Sequence, residues 1–117
     1  MTSLVTARVE HEVTFVELTG ELDIWSAPEA RPTFAEVLDR GAGGPRLAVD
    51  LRRLHFIDST GIAVLVGAFK KARKRNGSMV LICTESQPLR ALTRTGLTKV
   101  FQIYPSPEAL FAANRST

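Results

Sequence analysis

Apolar and polar positions follow two different periods along this chain, and the changes of period divide it into strands and helices. Residues 5–9 and 13–18 read as strands, joined by the short polar turn Glu10-His11-Glu12 that suits antiparallel neighbours. A helix is predicted over 27–40, where Phe34, Val37 and Leu38 form an apolar stripe and Gly41-Ala42-Gly43-Gly44-Pro45 stops it. Strands follow at 46–51, 79–83 and 100–104, and helices at 60–75, 86–95 and 107–113. Asn76-Gly77 and Gly96 mark helix ends, while Ser86 with Pro88 and Ser106 with Pro107 mark starts. This alternation predicts an α/β fold, a mixed and mostly parallel sheet of about five strands with about four helices. No linker, repeat or low-complexity tract interrupts it, so residues 1–117 are expected to form one domain. Pro32 is a local conflict, since proline inside a helix costs about 3 kcal/mol. Either the first helix begins near Arg31 or it is kinked.

The densest chemistry lies where the apolar segment Leu54-His55-Phe56-Ile57 runs into Asp58-Ser59-Thr60-Gly61-Ile62 and a helix follows at once. Unpaired N–H groups and the positive end of the helix dipole favour an anion there, which makes Ser59 a candidate phosphate carrier. The same residues can be a plain helix cap, with Gly61 easing a tight turn. A third reading is the nucleophile elbow G-x-S-x-G, but bulky Ile57 occupies the place of its first glycine. A hydrolase would also need a general base, for which His55 is the only neighbour in sequence.

Four segments in order discriminate among these readings: Leu18-Thr19-Gly20-Glu21-Leu22-Asp23 with Ala27-Pro28, Leu47-Ala48-Val49-Asp50-Leu51, Phe56-Ile57-Asp58-Ser59-Thr60-Gly61-Ile62, and Thr95-Gly96-Leu97 with Phe101. Over nearly its whole length the chain resembles the STAS domains of bacterial anti-sigma factor antagonists. That resemblance implies the STAS fold and a regulator rather than an enzyme. It implies that Ser59 is phosphorylated by an anti-sigma factor that is a serine kinase, that only the unphosphorylated form binds this kinase and frees the sigma factor, and that a serine phosphatase resets the switch. Asp23 and Asp58 would then belong to the surface read by the kinase, with Trp25, Thr60, Gly61, Ile62 and Val64 expected in the same interface. A monomer or weak dimer is expected. The alternative is a scaffold or sensor subunit of a stressosome-like assembly, for which an added N-terminal sensory domain would be the mark.

Composition is compatible with this picture without producing it. The 117 residues are 44% hydrophobic and 23% charged, ordinary for a globular domain. No run of about 18 apolar residues appears and the first residues lack the features of a signal peptide, so a cytoplasmic protein without membrane partners is expected. Cys83 stands alone and, with only His11 and His55, leaves no metal-ligand spacing; neither metal nor cofactor is expected. Cys83 reads as a core residue.

The basic run Lys70-Lys71-Ala72-Arg73-Lys74-Arg75 and the net charge of +3 raise nucleic-acid binding. Cations also suit a solvated helix C-terminus, and neither interleaved aromatics nor a helix-turn-helix accompanies them, so no direct nucleic-acid contact is expected. Along 60–75, Ile62, Leu65, Val66, Phe69 and Ala72 mark a buried face, while Ala63, Val64 and Gly67 leave the opposite face small and apolar, as a docking surface or beneath a neighbouring element. Trp25 is either a core residue or a binding anchor.

Overall fold

The computed structural model describes residues 4–40 and 43–115. Strands β1 (Val5–Glu10) and β2 (Val13–Leu22) form a hairpin, followed by α1 (Ala27–Asp39), β3 (Arg46–Ile57), α2 (Ser59–Lys74), β4 (Ser78–Ile82), α3 (Gln87–Arg94), a single 3₁₀ turn (Leu97–Lys99), β5 (Ile103–Tyr104) and α4 (Pro107–Arg115). The strands lie side by side in chain order; β1 is antiparallel to β2, and every other pair is parallel. The crossovers between successive parallel neighbours carry α1, α2 and α3 to the same face of the sheet, where their buried residues share one core.

Alternation along the strands supplies a core on each face. Val16, Leu18, Val49 and Leu81 pack with Phe34, Leu38, Leu65 and Leu92 of the three helices. On the reverse face Val13, Phe15, Ala48 and Ile82 meet Leu110 of α4, and Phe111 sets its ring edgewise to Phe15 at 5.8 Å. Asp50 shares the alternation of this second face and is 2% exposed. Its carboxylate accepts the fork of Arg52, Nε to Oδ1 at 3.0 Å and Nη2 to Oδ2 at 2.8 Å, and that bond raises the guanidinium pKa further.

Several elements depart from the periodicity, each for a local reason. β2 continues to Leu22 through a bulge at Gly20, whose φ of 84° suits a residue without Cβ. β3 continues past Leu51 to Ile57, since Leu51, Leu54 and Ile57 are buried at intervals of three rather than two and Arg52 and Arg53 break the apolar run. α1 begins at Ala27 rather than near Arg31, because the carbonyl of Asp23 accepts the Ala27 N–H at 2.8 Å and starts the helical turn early. Pro32 then lies inside α1 with its ring on the exposed side, at the loss of one backbone bond. The helix ends at Asp39, and Gly41 and Ala42 of the expected stop lie outside the described residues. The expected strand 100–104 shrinks to Ile103–Tyr104: Gly96, at φ 75°, turns the chain into the 3₁₀ turn, and Phe101 is drawn into the core beside Phe69, ring centroids 5.0 Å apart.

Candidate functional site

The ends of β2 and β3 lie next to each other, Leu22 paired with Ile57, and the two loops that leave them form one rim. Asp58, extended, is the N-cap of α2, and its Oδ1 accepts the Gly61 N–H at 2.9 Å. Its Oδ2 accepts the Ile24 N–H from the neighbouring loop at 3.2 Å, and its own N–H donates to the Leu22 carbonyl at 3.2 Å. One aspartate therefore caps the helix and ties the two loops together.

Asp23 shapes the loop that leads into α1. Its Oδ1 accepts the N–H groups of Trp25 and Ser26, each at 3.0 Å, while the Ser26 hydroxyl accepts the Asp23 N–H at 2.9 Å and donates to the Glu21 carbonyl at 2.7 Å. Gly61 lets α2 approach the sheet: a Cβ there would stand 2.3 Å from the Leu22 carbonyl oxygen and 2.7 Å from Ile57 Cγ1. No larger residue fits without moving the helix start.

Ser59 is the first residue of α2, exposed, and its hydroxyl makes no hydrogen bond among the described residues. Thr60 and Ile62 beside it are half-buried. The first N–H groups of the helix have no carbonyl within it. Residues 21–26 and 56–62 contain Glu21, Asp23 and Asp58 but no lysine or arginine. The rim is acidic around an unencumbered serine.

Exposed apolar side chains lie on the same two segments. Trp25 is 88% exposed, Ile24 61% and Phe56 40%, so Trp25 is not a core residue. Ile24 and Phe56 were not legible as surface residues, because a strand end and a loop entry leave no period from which to assign a face. Gln87 was also missed. Its side-chain amide receives the Ile57 N–H on Oε1 at 2.8 Å and donates from Nε2 to the Ile57 carbonyl at 3.1 Å. β4 pairs with β3 only as far as Asp50, so this amide serves the edge of Ile57 that faces away from β2, where β4 does not reach.

Two expectations about α2 meet the structure differently. Val64 is corrected: it is 6% exposed and packed in the core, since α1 lies over this part of the helix, and it does not stand on an open face. Ala63 and Gly67 do remain exposed. At the far end of α2 the basic cluster is partly engaged, Arg75 with Asp39 at 2.7 Å and Arg73 over the Phe69 ring at 5.6 Å.

His55 is exposed on β3, and no hydrogen bond joins it to Ser59. Among the described residues, no group of three His, Cys, Asp or Glu side chains could hold a metal ion, and no helix is long and apolar enough to cross a membrane. Cys83 is buried, and desolvation pushes its thiol pKa up.

A family model described as the STAS domain matches residues 5–110. The chain is 33% identical over 93 residues to an anti-sigma-B factor antagonist of Bacillus subtilis, covering 80% of this chain and 83% of that one. It is 32% identical over 99 residues to an anti-sigma F factor antagonist of Paenibacillus polymyxa, covering 82% and 83%. A crystal structure of an anti-sigma factor antagonist from Mycobacterium paratuberculosis superposes with a TM-score of 0.82 at 27% identity, over 95% of this chain and 92% of that one.

Proposed function

The chain belongs to the STAS domain family, and from that premise we propose that it is an anti-sigma factor antagonist switched by phosphorylation of Ser59. The relatives named as antagonists of anti-sigma factors support the class of partner. The observation that carries the switch is the Ser59 hydroxyl, exposed and free of internal hydrogen bonds at the first position of a helix whose start is fixed by Asp58 and Gly61.

In its unphosphorylated form the protein binds an anti-sigma factor that is a serine kinase, and the sigma factor is released. The contact is the rim: Ile24 and Trp25 on the loop after β2, Phe56 at the end of β3, and Ser59, Thr60 and Ile62 in the first turn of α2, with Asp23, Asp58 and Gly61 holding this end of the fold in shape. Aromatic and branched side chains exposed to this extent gain most by being covered, and Trp25 is the anchor.

The kinase then transfers the γ-phosphoryl group of ATP to Ser59 Oγ, the hydroxyl proton passing to a base of the kinase and ADP leaving. The phosphate adds about −1.5 to −2 charge beside Asp23 and Asp58. No basic side chain in either loop answers it, so covering the rim would bury an unpaired dianion. The complex falls apart by a surface effect, without a change of fold, and a serine phosphatase restores the hydroxyl. The protein is a binding regulator without catalysis of its own and works in the cytoplasm.

Incubation with the cognate kinase and ATP, followed by phosphopeptide mapping, tests the assignment. One phosphate on Ser59 is expected. Thr60 or another residue as the main site refutes it.

A further inference from the structure

Helices α1 and α2 leave a shallow apolar groove between them on the outer side of the fold. Phe34 and Leu38 form its floor, and Ala35, Ala63 and Gly67 keep its walls low. No atom lies within 4 Å of the place a Cβ on Gly67 would take, so the groove is open at that residue. Both helices descend from the same rim. Arg31 lies in the second turn of α1 and Lys71 near the end of α2, eight residues deeper, which separates the two cations by about 12 Å along the groove at the helical rise.

The charges at this groove are unbalanced. No acidic side chain among the described residues lines the groove; of those on α1, Glu36 and Asp39 are engaged by Arg40 and Arg75, and Glu29 lines a separate hollow beside Trp25 and Ser26. Arg31 and Lys71 are exposed and have no ion pair among the described residues. An apolar, low-walled groove with a free cation towards each end is complementary to an amphipathic helix with small residues on one face and carboxylates seven or eight positions apart. That spacing returns to the same face of a helix at about the distance between the two cations.

We propose that this groove receives an acidic amphipathic helix of the anti-sigma factor, as a second contact beyond the Ser59 rim. The inference rests on the functional reading above, and position links the two. Ala63 is one turn along α2 from Ser59, so a partner covering the rim reaches the head of the groove. The rim carries the switch. The groove adds affinity that depends on salt.

Titration calorimetry with the purified cognate anti-sigma factor tests this, using wild type, the double variant Arg31→Glu/Lys71→Glu, and Gly67→Leu. A Cβ on Gly67 meets nothing within 4 Å, so Gly67→Leu adds its bulk at the groove wall, and an undiminished melting temperature serves as the control. Reversing both cations is expected to weaken binding about tenfold or more and to flatten its salt dependence. Gly67→Leu is expected to weaken binding by a similar factor. Equal affinities for all three proteins overturn the groove while leaving the rim standing. Absence of binding by the wild type overturns the functional reading and the groove with it. If Gly67→Leu alters self-association in sedimentation but not the anti-sigma complex, the groove is an interface between copies and the proposal is wrong.

Discussion

Two glycines of α2, six residues further along from Gly61 to Gly67, should respond to alanine in opposite directions. At Gly61 the added methyl would lie 2.3 Å from the Leu22 carbonyl oxygen, 2.7 Å from Ile57 Cγ1 and 3.0 Å from the Leu22 carbonyl carbon. Relief to ordinary contact requires the helix start to retreat by about 1 Å, against optimal separations of about 3.5 Å. That retreat strains the Asp58 cap on the Gly61 N–H and the bond from Ile24 to the same carboxylate. Overpacking costs about 1–3 kcal/mol and a weakened cap about 1 kcal/mol, offset by about 1 kcal/mol from the better helix propensity of alanine. The net loss for Gly61→Ala is about 1–3 kcal/mol. Gly67→Ala meets nothing within 4 Å and should gain about 0.5–1 kcal/mol from propensity and a stiffer unfolded chain. Urea unfolding of the two variants beside the wild type reads both numbers from the midpoints. If both variants shift the midpoint in the same direction, the close approach of α2 to β2 does not govern this turn, and the reason offered for glycine beside Ser59 is wrong.

Trp25→Ala should separate stability from binding: a side chain 88% exposed contributes little to the fold, so unfolding should move by no more than about 0.5 kcal/mol, while affinity for the anti-sigma factor falls about thirtyfold or more. Unchanged affinity would remove Trp25 from the interface. Cys83 predicts a pH effect. Burial raises its folded pKa, so its contribution is fully present below the unfolded value and is lost as pH rises through the folded one. The stability of the wild type relative to Cys83→Ala should therefore decline above about pH 8.5, and parallel pH profiles would contradict a buried, unionised thiol.

The order and type of most elements were legible because their apolar residues keep a helix or strand period over several turns or alternations. Asp58-Ser59-Thr60-Gly61 was legible as a helix start, since an aspartate cap and a small third residue are local chemistry. Contacts between elements were hidden. Val64 has the same spacing whether α1 covers it or solvent does, and only the crossover between β2 and β3 places α1 there. Gln87 reads as an ordinary first-turn residue of α3, and its pairing with Ile57 depends on how far β4 extends. The bond from Ile24 to Asp58 spans 34 residues of sequence and makes a structural post of a carboxylate that in sequence reads as surface chemistry. Arg52 and Arg53 interrupted the apolar pattern of β3, so the strand that delivers Ser59 to the rim reads short.

A phosphate on Ser59 should switch binding off at the surface, and the decisive measurement is calorimetric titration of the purified anti-sigma factor with the unmodified protein and with the Ser59-phosphorylated protein. Burying an unpaired dianion against Asp23 and Asp58 costs about 4 kcal/mol, which is nearly a thousandfold in affinity. A helix N-terminus contributes only about 0.3–1 kcal/mol to an exposed anion, so the melting curves of the two forms should nearly coincide. Tight binding by the unmodified protein, none detectable for the phosphoprotein, and matching thermal unfolding are expected. Equal affinities of the two forms would contradict this switch.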